Sequence, residues 1–356
     1  MSLSTLTIQT AYMPLAAAVQ QPWQTSALGA VCFVDTATGS QIECQLKLPM
    51  LLLRAPVLAG AEAACEVWLS HTSKPLGATQ LNVGQKGAIQ YRSNDDYLFG
   101  LITLDESAIL PHDSAIAPLQ QAAESAYRQI FALMDTQGYP YMYRFWNYMA
   151  DINGVSHGLE RYRQFNVGRK NAFLACGREV AEQLPAACAL GLVDGALTIA
   201  FLVGRQAPVA IENPRQVSAY EYPAEYGPRT PSFSRATLLC AEQDALLFIS
   251  GTASIVGHQT LHPQDVLAQT RETIANLEAV IAEANRVLGQ HNFNLQRMFF
   301  RVYLRHAADL AVVQNAMQHH IGGKLNVVFV QADICRQELL LEIEATAAPV
   351  LERVCT

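Results

Sequence analysis

Two acidic residues, Glu342 and Glu344, interrupt the otherwise apolar run LLLEIEATA near the end of the sequence. Their spacing of two residues places both carboxyl groups on one face of a strand. A carboxyl group in apolar surroundings has a raised pKa and can stay protonated near neutral pH, so Glu342 is a candidate general acid. A buried glutamate that pairs with an arginine for purely structural reasons fits the pattern equally well, and both interpretations stay open at this point.

Arginine is concentrated around a long turn-rich segment, residues 213–235, which contains three tyrosines, four prolines and three arginines. Long loops within a compact domain are often functional, although a plain linker is the alternative. A guanidinium group binds carboxylates through paired hydrogen bonds, so several arginines that converge on one pocket predict a di-acidic substrate. Surface solvation with local ion pairs is the alternative for each of them. The arginines concerned are Arg144, Arg161, Arg163, Arg169, Arg229, Arg235, Arg301 and Arg305.

Cys335 and Gly251 are two further candidates for a site. No helix N-terminus or neighbouring base is evident around Cys335, so a small pocket-lining residue fits better than a nucleophilic thiolate. Gly251, in the run ISGTAS, ends a predicted strand, where a missing side chain lets a ligand approach closely; an ordinary turn glycine is the alternative. The sequence contains no GxSxG, P-loop, GxGxxG or HExxH pattern, which argues against the commonest hydrolase, nucleotide-binding and zinc-protease classes.

These residues must be positioned by alternating strands and helices in the last third of the chain. Apolar residues at the helical period predict a helix over Pro263–Leu288, with Pro263 in its first turn and Gly289 after its end. A second helix is predicted from Leu310 to Ile321. The predicted strands are Ala245–Ser250, Met298–Leu304, Asn326–Val330 and Glu338–Ala345. This order predicts an α/β unit with its helices on one sheet face.

A weaker copy of the same order precedes this unit, and we interpret it as an internal duplication. The runs YRFWNYMADI and FRVYLRHAADL both place an arginine beside aromatic residues near the end of a strand. The copy consists of strands at Tyr97–Leu104, Met142–Met149 and Leu197–Val203, with helices at Leu119–Thr136 and near Asn171–Gln183.

The composition predicts a packed globular protein, because 51% of the residues are hydrophobic and 15% are charged. A formal net charge of -7 and the absence of a long basic run argue against nucleic acid or anionic lipid as a partner. No stretch has transmembrane length and the N-terminus lacks a signal-peptide pattern, so we expect a cytoplasmic protein. The eight scattered cysteines suggest reduced thiols, and neither they nor the pair His319–His320 predicts a metal site.

Residues 245–347 resemble the reactive intermediate deaminase (RidA, YjgF) family in the runs SGTAS, VLAQTRETIANLEAVIAEA, FFRVYLR and LLLEIEATA. The resemblance implies an α/β (α+β) fold of two fused, chorismate-mutase-like barrel units, with mixed sheets and helices packed on one face. It implies a degenerate N-terminal RidA-like domain with extra N-terminal strands at 1–210, an active-site loop or linker at 211–235, and a C-terminal RidA-like domain at 236–356. The substrate-binding arginine of that family is absent from NVVFVQ, which disfavours imine hydrolysis, whereas Glu342 matches its glutamate.

The segments RFWNYMADIN, RYRQFNVGRKNAF, YPAEYGPRTPSFSRA and SGTASIVGH resemble the chorismatases, which carry this fold as a fused pseudo-oligomer. The resemblance implies an enzyme that converts chorismate to pyruvate and 3-hydroxybenzoate, with 4-hydroxybenzoate as a further product, and that uses Glu342 as the general acid. Gly251 and Cys335 match the residue pair of the hydroxybenzoate-forming branch. We expect a monomer without a cofactor. The residues implied to bind chorismate are Tyr148, Arg161, Tyr226, Arg229 and Arg235.

Other functions remain open from the sequence alone. One is a hydrolytic chorismatase that gives a dihydroxycyclohexadiene carboxylate and pyruvate. Others are an enamine or imine deaminase and a ligand-binding module without catalytic activity. A pteridine-dependent dioxygenase, a label attached to relatives, would need a metal for which no ligand set is evident.

Overall fold

The structure is a computed structural model, and it describes residues 6–18, 25–34, 48–70, 81–109, 116–241 and 244–348. The start of the predicted N-terminal domain and the end of the predicted C-terminal domain, together with Cys44 and Cys355, lie outside these ranges. Within them no helix is both long and apolar enough to cross a membrane.

The N-terminal part forms a small sheet of its own in the order β1-β5-β2-β3. Strand β4 leaves this sheet and pairs with a strand near the end of the chain. The elements are β1 Ile8–Met13, α1 Leu15–Ala18, β2 Ala27–Val34, β3 Met50–Arg54, β4 Val57–Ala59 and β5 Cys65–Ser70.

Two larger α+β units follow in the chain. The elements of the first unit are β6 Asn82–Lys86, β7 Ile89–Ser93, β8 Tyr97–Leu104, α2 Pro118–Gln137, β9 Tyr141–Ala150, β10 Val155–Ser156, β11 Leu159–Glu160, α3 Arg161–Ala175, β12 Ala186–Leu192 and β13 Leu197–Gly204. The elements of the second unit are β14 Val209–Ile211, β15 Ala236–Cys240, β16 Ala245–Thr252, β17 Ile255–Val256, β18 Gln259–Thr260, α4 Val266–Leu288, β19 Phe299–Leu304, α5 Leu310–Ile321, β20 Asn326–Gln331, β21 Asp333–Ile334 and β22 Leu341–Ala347.

The sheets of the two units have the same strand order. Its six shared positions are β6-β7-β8-β13-β9-β12 in the first and β14-β15-β16-β22-β19-β20 in the second, and each sheet is completed by a seventh strand, β21 beside β12 and β4 beside β20. In both sheets the strands that flank the second helix, β9 with β12 and β19 with β20, pair in parallel. The duplicated α+β architecture expected from the sequence is confirmed, while the exact domain boundaries stay a prediction.

Each unit buries its helices against one face of its own sheet and turns the other face toward the rest of the molecule. Helices α2 and α3 pack on the first sheet, and α4 and α5 on the second. The opposite faces share a core with the N-terminal sheet, to which Phe33, Trp146 and Tyr303 contribute from the three sheets in turn. Residues of β9, β19 and β22 on these inner faces can therefore meet between the units.

Two sequence predictions about helices were wrong in their bounds. The second helix of the first unit runs over Arg161–Ala175 instead of Asn171–Gln183, because it buries polar side chains such as Gln164 and Arg169 and so lacks an apolar stripe. Pro263 lies before the helix α4, whose N-cap is Asp265; its carboxylate accepts a hydrogen bond from the backbone N–H of Ala268.

Candidate active site

A cavity of about 890 Å³ opens between the two units. Its walls come from the β10–β11 hairpin and the start of α3 in the first unit, and from segment 216–235, the end of β16 and segment 335–342 in the second. This volume lies within the range of pockets that enclose small molecules. The turn-rich loop singled out in the sequence is therefore part of a cavity wall.

Glu342 reaches this cavity from the strand β22. Alternation along the strand turns Leu341, Ile343 and Ala345 toward the helices and leaves Glu342 and Glu344 on the inner face. Burial, reinforced by the negative charge of Glu344 and partly offset by Arg144, raises the pKa of Glu342 to about 8. The side chain is therefore mainly protonated at neutral pH.

One oxygen of this acid is available to a ligand. Oε1 of Glu342 is buried and has no hydrogen-bond partner within the described part of the chain. A buried polar atom without a partner is costly, and such atoms are common where a substrate or a water molecule completes the site. The general-acid interpretation and the structural interpretation now separate, because Glu344, and not Glu342, carries the salt bridges.

Gly251 provides the space that the acid occupies. The pairing of β16 with β22 shifts register between Ile249 and Thr252, and this bulge brings Gly251 against Glu342. A Cβ atom added at Gly251 would overlap Oε1 of Glu342. The glycine is therefore required by close packing against the acid and is not an ordinary turn residue.

Cys335, in the segment that follows β21, lies beside Gly251 and Glu342. Burial, with a contribution from the charge of Glu342, raises the pKa of Cys335 to about 12, so the side chain is a neutral thiol. Gly251, Cys335 and Glu342 also line a smaller chamber of about 30 Å³ together with Tyr162 and Arg169. The structure thus brings the three predicted catalytic-site residues together.

Two arginines of the second unit line the cavity. Arg235 donates hydrogen bonds of 2.8 Å to the carbonyl of Val217 and the hydroxyl of Tyr222. The guanidinium carbon of Arg336 lies 4.1 Å from the ring centroid of Tyr226, and Nη1 donates a 2.8 Å hydrogen bond to the carbonyl of His258.

Both guanidinium groups keep buried nitrogen atoms, Nε of Arg235 and Nη2 of Arg336, for which the described residues offer no hydrogen-bond partner. They donate hydrogen bonds to neutral carbonyl and hydroxyl groups or stack on an aromatic ring, and Arg235 also interacts electrostatically with the carboxyl group of Glu212. The two positive charges therefore favour binding of an anion in the cavity.

The sequence analysis did not identify Arg336, although it directly follows Cys335. Alternation along a continuous strand would turn neighbouring side chains to opposite faces. Strand β21 ends at Ile334, however, and the turn that follows lets both side chains face the cavity. This backbone turn could not be inferred from residue types alone.

Tyr226 and Arg235 line the cavity, but three other residues predicted to bind substrate do not. Tyr148 is fully buried in the inter-unit core, where its hydroxyl lies 2.7 Å from that of Tyr303. Arg161 forms a two-pronged ion pair with Glu106. Arg229 is exposed on the loop surface.

Several comparisons place these residues in a family context. A family model described as chorismatase FkbO/Hyg5-like, N-terminal, matches residues 66–203. A chorismatase of Streptomyces rapamycinicus is 36% identical over 298 residues, which cover 81% of this chain and 83% of that protein. A 3-hydroxybenzoate synthase of Streptomyces hygroscopicus is 34% identical over 294 residues, covering 80% and 81%. A crystal structure of a chorismatase superposes with a TM-score of 0.81 at 30% identity, covering 98% of this chain and 100% of that one.

Proposed function

The chain belongs to the chorismatase family, and from this premise we propose that it converts chorismate to pyruvate and 3-hydroxybenzoate. The single observation that supports this most strongly is the buried acid Glu342, whose Oε1 has no hydrogen-bond partner among the described residues and which lies in a cavity that Arg163, Arg235 and Arg336 line. Chorismate carries two carboxylates and an electron-rich enol ether. The substrate therefore has the charge that the cavity favours and a carbon that the acid can protonate.

In the proposed reaction Glu342 gives its proton to the terminal methylene of the enolpyruvyl group. The new C–H bond leaves an oxocarbenium ion at the neighbouring carbon. The bond between the ring and the ether oxygen then breaks, and its electron pair completes the keto group of pyruvate. The hydroxyl oxygen on the neighbouring ring carbon bonds to the carbon that loses the ether oxygen and then gives up its bond to its original carbon, so the hydroxyl group ends at the 3-position without external water. The ring returns one proton to Glu342 as it aromatises, so the atoms of chorismate equal those of the two products.

Arg235 and Arg336 are proposed to bind the two carboxylates, with Tyr226 forming the wall against which Arg336 stacks. A charged hydrogen bond of this type contributes about 1.5–3 kcal/mol to binding. Tyr148 and Arg161 are not included, because their polar groups already bond to protein partners. Arg229 is not included, because its side chain is exposed away from the cavity.

Gly251 and Cys335 are proposed to select the branch of the reaction. Both contact the space around the acid, and the small chamber behind it measures about 30 Å³. The tight fit around Glu342 favours a reaction in which the substrate supplies its own oxygen. A bulkier residue at either position would displace Glu342 and change whether the ring hydroxyl or a water molecule attacks the cationic intermediate. The alternative outcome is hydrolysis to a dihydroxycyclohexadiene carboxylate.

The test is to incubate the protein with chorismate, measure pyruvate with a coupled dehydrogenase, and identify the ring product by chromatography. Pyruvate together with 3-hydroxybenzoate supports the proposal, and 4-hydroxybenzoate would be a second product of the same route. The dihydroxycyclohexadiene acid would instead assign the hydrolytic branch. If no pyruvate forms, the proposal that the protein cleaves chorismate is wrong.

The role of the acid is tested with Glu342→Gln, which keeps the shape of the side chain but has no proton to donate. Turnover should fall about 10²–10⁴-fold. Glu338→Gln is the matched control, because Glu338 is an exposed carboxylate at the same cavity and its loss should leave kcat unchanged. Pyruvate release at the parental rate by Glu342→Gln would mean that the proton comes from another group.

A further inference from the structure

A buried ion network lies directly behind the acid and has no role in the reaction described so far. Arg144 of the first unit contacts Glu344 at 2.7 Å, and Arg301 of the second unit contacts the same Oε2 atom at 3.5 Å. Arg301 also contacts Glu66 of the N-terminal sheet at 2.5 Å. All four residues are at most 5% exposed. The network therefore joins three parts of the chain in the absence of solvent.

Glu344 lies one strand repeat from Glu342 on the same inner face of β22. Two carboxyl groups at such a spacing repel each other when both are ionised, and burial weakens the screening by water. The guanidinium groups of Arg144 and Arg301 contact the Glu344 carboxylate and balance its charge. The repulsion is therefore relieved by keeping the proton on Glu342.

Other titratable groups also face Glu342 from the surrounding elements. Tyr303 on β19 is its cross-strand partner, and Arg144 reaches the same region from β9. The remaining titratable groups that line the acid's cavity are Glu160, Tyr162, Arg163, Arg169, Cys188, Tyr222, Glu225, Tyr226, Arg235, Cys335, Arg336 and Glu338. After burial itself, Glu344 is the largest influence that raises the pKa of Glu342, and Arg144 opposes it.

We propose that Glu344 is a positioning residue for the acid: its carboxylate, fixed by Arg144 and Arg301, holds the catalytic proton on Glu342 in the resting enzyme. This inference rests on the proposed function, in which Glu342 must be protonated to start the reaction. Glu66 belongs to the same network but lies on the far side of Arg301. Glu66 therefore affects the stability of the network more than the proton on Glu342.

The experiment titrates Glu342 directly in the absence of substrate. The protein is labelled with ¹³C at the glutamate side-chain carboxyl carbon, and the signal that disappears in Glu342→Gln is assigned to Glu342. In Glu344→Gln the titration midpoint of Glu342 should fall by about one pH unit or more, because a like charge is lost. Glu344→Asp keeps the charge and should retain a midpoint close to that of the parent.

Glu66→Gln is the matched control, since it removes one buried carboxylate from the same network and should leave the midpoint unchanged. An unchanged midpoint in Glu344→Gln, or an equal fall in Glu66→Gln, would overturn the proposal. If Glu344→Gln does not fold, the charge-balanced pair Arg144→Gln with Glu344→Gln is titrated instead. Its midpoint should still fall, because Glu344 outweighs Arg144, and no fall there would equally overturn the proposal.

Kinetics separate this inference from the function on which it rests. In the parent, the basic limb of the kcat profile against pH should follow the titration midpoint, and in Glu344→Gln both should move down together. A merely structural role would lower kcat at all pH values without moving this limb, which would contradict the proposal. If the parent does not turn over chorismate while the midpoints shift as expected, the proposed function fails and the coupling of the two carboxyl groups stands.

Discussion

The last core strands of the two units, β13 and β22, occupy equivalent places in their sheets but carry different side chains. On β13, Leu202 pairs with Arg144 and Ala200 with Trp146. On β22, the corresponding partners of Arg301 and Tyr303 are Glu344 and Glu342. One copy therefore has two apolar residues where the other has two acids. The arginine is present in both copies.

The strands beside them differ in the same way. Strand β8 pairs with β13 in regular register through Leu98, Phe99 and Gly100. Strand β16 has one more residue over the equivalent stretch, which produces the bulge that brings Gly251 to the acid. An acid on β22 and a bulge on β16 are thus complementary features that the first unit lacks.

This difference shows how a fused duplication can divide its tasks. Leu202 leaves Arg144 of the first unit without an acid on its own β13, and Arg144 contacts Glu344 of the second unit instead. A buried guanidinium needs a counter-charge, and here the counter-charge lies across the unit boundary. The first unit has no acid at the positions of Glu342 and Glu344. It supplies Arg144, whose positive charge is the counter-charge of Glu344 in the second unit.

The largest predicted effect is on how the free energy of unfolding depends on pH. The effect comes from Glu342, the acid that β22 has where β13 has Ala200. The pKa of Glu342 is raised from 4.5 to about 8 in the folded protein. A raised carboxyl pKa contributes stability that is present below the unfolded value and is lost as pH rises through the folded value. The free energy of unfolding should fall by up to roughly 5 kcal/mol over this range.

Glu342→Gln should lack this contribution, and urea unfolding of both proteins at pH 5 to 9 measures it. Other titrating groups are common to the two proteins and cancel in the difference. The variant should gain stability relative to the parent as pH rises. Parallel curves would mean that Glu342 ionises as an ordinary exposed glutamate.

The second prediction concerns Glu344, which is replaced by the leucine that β13 has at the equivalent position. Glu344→Leu copies Leu202 and removes the carboxylate that Arg144 contacts, while Arg301 keeps its contact with Glu66. Breaking a buried ion pair from one side costs about 3–5 kcal/mol of stability. Chemical denaturation measures the loss, and adding Arg144→Met should restore part of it. Equal stability of Glu344→Leu and the parent would show that the network does not hold the units together.

The third prediction adds one methyl group to a glycine in each of the equivalent strands β16 and β8. In Gly251→Ala the new Cβ overlaps Glu342, and in Gly100→Ala it overlaps the ring of Phe201. Displacing a catalytic group by about 1 Å can cost about 10²-fold in rate, so Gly251→Ala should lower kcat by that order and change the ratio of ring products. Gly100→Ala should lower the melting temperature without changing the product ratio. If both variants give the same ratio of ring products, the bulge at Gly251 has no role in selecting the product.

Much of this fold could be predicted from the sequence, and the reason is visible in particular elements. Helix α4 has a regular apolar stripe and a glycine after its end, so its C-terminus was predicted to the residue. Helix α3 was displaced by ten residues at its start, because its buried face carries Gln164, Asn166 and Arg169. Polar residues on the buried face of a helix remove the apolar periodicity on which such predictions depend.

The residue types made Glu342 and Gly251 candidates for the site, with a structural alternative open for each. The resemblance to the chorismatases implied their roles. The binding residues were harder, because an arginine serves equally well in an ion pair, in the core or in a pocket. Arg161 pairs with Glu106, whereas Arg336 enters the cavity through a turn after β21.

The smallest predicted effect compares Arg336, which the sequence analysis did not identify, with Arg229, which it predicted to bind substrate. Arg336→Gln removes a guanidinium that contacts the cavity, and the loss of one charged hydrogen bond of about 1.5–3 kcal/mol should raise KM by roughly 10-fold or more with a smaller change in kcat. Arg229→Gln is the matched control, because Arg229 is exposed and does not line the cavity. Steady-state kinetics with chorismate measure both variants. A larger KM for Arg229→Gln than for Arg336→Gln would mean that the loop closes over the substrate and that the binding residues lie on its outer side.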